Sequence, residues 1–183
     1  MPRKSIVSTI LVMVGAAIAS PAFAAPVVGL PLKVAATGDV IVTYLGSSAG
    51  YRDRVGLVGG PAVIFDNRTS TVGQTVNLGS FTAGAELTFS LMVRNTGLTF
   101  FSGPASGNID GVAHTATTSS AGLPLIVGFE DMRDGGDKDY NDVLFSVSNA
   151  IATPEPLTWS LLIMGFGAIG TAMRRQRGRI TYA

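Results

Sequence analysis

The sequence predicts an all-β chain: an antiparallel β-sandwich of jelly-roll-like type over residues 25–153, with an apolar N-terminal segment before it and one apolar helix after it. Three observations lead there. Residues 25–153 form a series of short runs rich in β-branched and aromatic side chains, each closed by Gly, Ser, Asn or Asp, which is the texture of short antiparallel strands. No stretch among them holds an apolar period of 3.6 residues, so little helix is expected. The 183 residues include 23 glycines and are 46% apolar, too Gly-rich for a helical bundle and too apolar for a disordered chain.

Taken in order, the expected strands begin with Val40–Leu45, which ends at Gly46-Ser47-Ser48. Pro61–Phe65 follows and stops at Asp66-Asn67; Thr75–Leu78 stops at Gly79. Glu86–Val93 alternates most clearly, with Leu87, Phe89, Leu91 and Val93 on one face and Thr88, Ser90 and Met92 on the other, the period of two that a half-buried strand requires. Leu123–Phe129 and Tyr140–Val147 complete the set. Ser102–Gly122 is rich in Ser, Thr, Gly and Ala and reads as a long loop or weak edge. The single histidine, His114, lies in that stretch and is expected at the surface. The Phe100-Phe101 pair reads as core ahead of a sugar-stacking surface.

Cysteine is absent, which excludes disulfides, thiolate catalysis and Cys-ligated metals. The formal net charge of +1 hides an uneven distribution. Residues 25–153 carry seven basic against eleven acidic side chains, a net −4, while Arg3, Lys4, Arg174, Arg175, Arg177 and Arg179 crowd the ends. Basic residues placed this way act as topogenic signals, and no nucleic-acid partner is expected.

Both ends read as addresses. Arg3 and Lys4 precede the apolar run Ile6–Ala19, Pro21 breaks it, and Ala22-Phe23-Ala24 is an A-x-A site. This is the layout of a secretory signal peptide over residues 1–24, to be cut by signal peptidase before Ala25. At the other end Leu157–Met173 is near the lower limit of roughly 17 residues for a spanning helix. Trp159 stands at its start and Arg174 and Arg175 at its end. A transmembrane helix over 157–173 is therefore expected, with its basic tail held inside and residues 25–153 outside.

The block Pro154-Glu155-Pro156-Leu157-Thr158-Trp159-Ser160, the apolar stretch and the arginine run over residues 154–179 resemble the PEP-CTERM sorting signal in its PEPxxWA form, with Ser160 where that form has Ala. The resemblance implies processing by an exosortase-like membrane enzyme in a Gram-negative bacterium. It also implies an inner-membrane-anchored precursor that ends at the cell surface or outside, in company with exopolysaccharide and the biofilm matrix.

The most informative segment is Gly128–Phe145. Between Glu130 and Asp142 fall six carboxylates, Glu130, Asp131, Asp134, Asp137, Asp139 and Asp142, against Arg133 and Lys138. Two strands flanking Gly135-Gly136 would gather these oxygens at one end of a sheet. Carboxylates held together repel, and Ca²⁺, which takes six to eight oxygen ligands in flexible geometry, relieves that. Asp137, Asp139 and Asn141 open like an EF-hand loop, but Asp142 stands where that loop needs Gly and Ser148 where it needs Glu. The candidate calcium ligands are thus Glu130, Asp131, Asp134, Asp137, Asp139, Asn141 and Asp142. A solvated acidic loop, closed by turn hydrogen bonds and internal ion pairs, and a site for another cation or a ligand contact remain open as alternatives. The order Gly-Phe-Glu-Asp, a Gly-containing turn, then Asp-x-Asp-Tyr-Asn-Asp-Val-Leu-Phe resembles the core motif of the DUF4114 family. That resemblance implies an exported bacterial β-rich domain of unassigned function, often described as calcium-binding.

Catalysis is not expected. Two-carboxylate hydrolysis needs residues held apart across a cleft, whereas these cluster in one segment, and no G-x-S-x-G elbow supports a serine nucleophile. The expected role is adhesive or matrix-associated. A calcium-dependent carbohydrate-binding module, which predicts an aromatic shelf beside the acidic loop, and a matrix hydrolase, which predicts a cleft, stand as alternatives.

Overall fold

The computed structural model describes residues 24–153 and 156–177. The expected signal peptide lies outside the described residues except for Ala24, as do Pro154 and Glu155 of the expected sorting signal. The described residues form twelve strands: β1 (Val27–Val28), β2 (Leu32–Val34), β3 (Gly38–Gly46), β4 (Asp53–Leu57), β5 (Phe65–Asp66), β6 (Thr75–Phe81), β7 (Phe89–Val93), β8 (Leu98–Phe101), β9 (Thr115–Thr118), β10 (Leu125–Phe129), β11 (Val143–Val147) and β12 (Ala150–Ala152). One helix follows, α1 (Pro156–Arg177).

The strands form a six-stranded sheet in the order β1-β9-β10-β11-β3-β6, a four-stranded sheet β5-β4-β7-β8 and a two-stranded β12-β2 ribbon. Every pairing is antiparallel. The expected antiparallel β-rich domain is therefore present. Its twelve strands in sheets of six, four and two differ from the eight strands of a jelly roll.

Alternation explains which side of each strand is buried. On β3, Val40, Val42 and Tyr44 are buried while Ile41 and Leu45 face solvent; around β7, Leu87, Phe89, Leu91 and Val93 are buried and Met92 is exposed. The two large sheets meet through rings. Phe145 on β11 packs against Phe89 on β7 at 5.0 Å between centroids, Phe65 on β5 at 6.2 Å and Phe129 on β10 at 6.3 Å. All four rings are at most 1% exposed, so the centre of the core is one aromatic cluster joining both sheets.

Several expectations are corrected. Thr75–Leu78 does not end at Gly79: β6 runs on to Phe81, with Gly79 at φ +96°. The β3–β6 register shifts between Asp39 and Ile41, so the glycine marks a bulge rather than a stop. Most of Pro61–Phe65 is not strand. Its backbone curls against β4, where the Leu57 N–H donates to Pro61 O at 2.9 Å and the Ile64 N–H to Val55 O at 2.7 Å. The Ser102–Gly122 stretch, expected as loop or edge, contains β9, an interior strand between β1 and β10. Thr115, Ala116 and Thr117 are buried there, because β-branched threonines suit a covered sheet even without large apolar side chains.

The expected transmembrane helix is also corrected. α1 forms over the predicted region and its described side chains between Ser160 and Arg174 are exposed, but no helix among the described residues is long and apolar enough to cross a membrane. Ser160, Thr171, Gly165, Gly167 and Gly170 lower the mean hydropathy of this segment. Of the sorting-signal residues, Pro156, Trp159 and Arg175 belong to this helix, and Arg174 is exposed near its end.

Candidate metal centre

β10 and β11 form a hairpin paired from Leu125↔Val147 to Phe129↔Val143, and the acidic residues occupy its connecting loop, as the Gly135-Gly136 turn predicts. The loop closes where the Asp142 N–H donates to Phe129 O at 3.1 Å. Consecutive residues at a strand end send side chains to opposite sides, and Glu130 and Asp131 do so. The seven predicted ligands therefore do not form one cluster: Glu130, Asp137 and Asp139 gather on one side, Asp131 and Asp142 on the other, and Asp134 joins neither.

On one side, Glu130 is 1% exposed and gathers with Asp137 and Asp139, whose oxygens and its own lie within 4.8 Å of one another. Ca–O distances of about 2.3–2.6 Å place oxygens on opposite sides of the ion about 5 Å apart, so this spacing suits one calcium. Glu130 Oε1 accepts the Tyr140 N–H at 2.7 Å. Burial, reinforced by Asp142, Asp137 and Asp139 and only partly offset by that hydrogen bond, pushes the Glu130 carboxyl up to about 7. Asn141 donates from its backbone to Asp139 Oδ1 at 3.1 Å and from its amide to Asp139 Oδ2, orienting that carboxylate.

The loop backbone is bent to make this approach. Asp134, Gly135, Gly136, Lys138 and Tyr140 all have φ between 47° and 80°, a region disfavoured for residues with a Cβ. At Gly136 an added Cβ would lie 2.6 Å from Glu130 Oε2, so only glycine lets the turn pass over the buried carboxylate. Below it, a Cβ on Gly128 would collide with the Tyr140 carbonyl oxygen. Gly128→Ala is expected to cost about 1–3 kcal/mol by overpacking and to loosen the Glu130–Tyr140 bond, read as a lower midpoint in urea and a weaker calcium response. An unchanged midpoint would mean that the loop does not depend on this close approach.

His114, expected at the surface, is fully buried. Its ring stacks on Phe100 with centroids 3.6 Å apart and 12° between planes. Nδ1 donates to Glu130 O at 3.0 Å and Nε2 lies 2.8 Å from Asp110 Oδ2. Asp110 in turn accepts the Asp134 N–H at 2.9 Å and the Val112 N–H at 3.2 Å. Burial opposes charge on Asp110, but its bonds from Asp134, His114 and Val112 outweigh that and hold it at about 2. The histidine is thus a strut from the four-stranded sheet to the start of the loop. Its ring is closed to any substrate, and Phe100 beneath it is core and not a sugar shelf. Asp134 contributes its backbone to this strut, and its carboxylate stands apart from the Glu130 group.

On the other side of the hairpin, Asp131 and Asp142 meet Asp53, the first residue of β4, which the sequence did not mark. The Asp131 N–H donates to Asp142 Oδ2 at 2.8 Å. Asn67 holds Asp53, accepting its N–H at 3.0 Å and donating to its Oδ2 at 3.1 Å. Burial first, and then the neighbouring carboxylates, raises all three of these acids above their ordinary values.

In comparison with known families, the model described as "Domain of unknown function (DUF4114)" matches residues 81–150, a span that includes the whole acidic hairpin. Searches of curated proteins and of solved structures find no match.

Proposed function

We propose that this chain is a non-enzymatic, exported protein whose β-sandwich is ordered by calcium at the β10–β11 loop and which serves at the cell surface or in the exopolysaccharide matrix. The observation that carries this is the oxygen group of Glu130, Asp137 and Asp139 within 4.8 Å, one of them a buried carboxylate that burial and three acidic neighbours push towards neutrality. A cation is the group that restores its charge at neutral pH. The wound loop, with five residues at positive φ, suits a site that wraps an ion. The match to DUF4114 over residues 81–150 supports treating the hairpin as the feature that defines the domain.

Export and sorting are proposed from the ends of the sequence. The Arg3/Lys4, apolar and Ala22-Phe23-Ala24 layout supports removal of residues 1–24 by signal peptidase. The Pro154-Glu155-Pro156 block with Trp159, Arg174 and Arg175 supports an exosortase-like partner that processes the tail. In a host carrying such an enzyme, the product is expected in the extracellular or surface fraction, shortened at both ends by intact-mass measurement, and released from the matrix by EGTA. Recovery of the full-length chain from the cytosol would overturn the export reading. A surface-held product that EGTA leaves in place would overturn calcium-dependent retention.

A further inference from the structure

We propose that Asp53, Asp131 and Asp142 form a second cation site, separate from the Glu130 group, which takes a hard divalent ion such as calcium and ties the two sheets together. The loop is one source of its ligands, with Asp131 just after β10 and Asp142 just before β11. Asp53 comes from β4, in the opposite sheet.

The decisive observation is an unmet hydrogen-bonding demand. Asp53 is 1% and Asp131 3% exposed, and Asp53 Oδ1 and Asp131 Oδ2 have no hydrogen-bond partner among the described residues. Buried polar atoms are nearly always paired, and an exception calls for an ion, a water or a special role. These two exceptions belong to neighbouring carboxyls that can hydrogen-bond each other only when one holds a proton, with Asp142 alongside. Two buried carboxylates with an acidic neighbour and no counter-charge would cost several kcal/mol.

Protein cations do not supply the missing charge. The ion pairs among the described residues join Arg52 and Arg54 to Asp66, and His114 to Asp110. Arg68, a cation whose charge acts on Asp53, gives its guanidinium to the carbonyl oxygens of Ala49, Gly50 and Tyr51. Two of the remaining carboxylate oxygens are instead steadied by neutral donors: Asn67 holds Asp53 Oδ2, and the Asp131 N–H holds Asp142 Oδ2. This leaves carboxylate oxygens from three residues, two of them buried without a donor, and no nitrogen or sulfur ligand among them. Such a set favours calcium or magnesium over transition metals.

The site stands independently of the loop reading, since the two share no ligand. A direct count on the purified full-length protein, by equilibrium dialysis against calcium and elemental analysis, separates them. Two ions per chain are expected in the wild type, one in D53N, and one in a D137N/D139N double variant. Should D53N fail to fold, the wild type and the double variant still decide. One wild-type ion lost in D137N/D139N would overturn the second site. One wild-type ion retained in D137N/D139N would uphold it and overturn the loop site. No bound ion in the wild type would overturn both, and would leave Asp53 and Asp131 as a pair sharing a proton. Two ions in a folded D53N would remove Asp53 from the ligand set and with it the link between sheets.

Discussion

Calcium at a hundredfold excess over its Kd is expected to raise the unfolding free energy by about 2.7 kcal/mol for each site that binds only the folded chain, and the gain is expected to be larger at pH 8 than at pH 5. The pH dependence follows from the raised carboxyls. Glu130 has its folded value near 7, above the ordinary 4.5, and Asp53, Asp131 and Asp142 shift in the same direction. For such groups the folded state holds protons that the unfolded state has released, so stability is fully present below the ordinary carboxylate range and lost as pH rises through the folded value. In EGTA the protein is therefore expected to melt lower at pH 8 than at pH 5. Calcium should close that gap, because an ion replaces the protons as the source of positive charge. Melting curves at the two pH values, each with calcium and with EGTA, check this. Superimposable curves at pH 8 would remove calcium from the account.

Phe145→Ala is expected to cost about 3–5 kcal/mol, the range for deleting a fully buried aromatic ring. The ring contacts Phe65 and Phe89 from one sheet and Phe129 from the other, so its loss opens a cavity where the sheets are joined and collapse is hardest. Urea denaturation in calcium measures the loss. A change below about 1 kcal/mol would mean that the aromatic cluster does not hold the sandwich together. Since Phe145 lies two residues beyond the end of β11 that borders the loop, the variant is also expected to weaken calcium binding without touching a ligand.

Period-two alternation made β7 legible in the sequence, and β-type runs closed by turn residues marked β3 and the two strands of the β10–β11 hairpin. β4 was not legible: it opens with Asp53 and Arg54 and has Gly56 just before its last residue, where propensity argues against a strand and only packing between sheets decides for one. β9 was hidden for a related reason, being built from threonine and alanine. The acidic segment announced a site but not its division. That division follows from extending the strand alternation past Phe129, which puts Glu130 and Asp131 on opposite sides. Asp53 carries no sequence signal linking it to Asp131, since the fold alone brings the two together. His114 was misplaced because its burial depends on Phe100, Asp110 and Glu130 at once, and none of these contacts is visible from its neighbours in the chain.

The bulge at Gly79 has a consequence for crowding. β6 is the long outer strand of the six-stranded sheet, and β1, at the far margin, has only two residues. A straight outer strand offers a ladder of unused amides on which another molecule can zip. Here one margin is too brief to serve as a template and the other is bent at its middle. Packed densely side by side, neighbouring copies meet no continuous rail along the margins of this sheet on which to fuse.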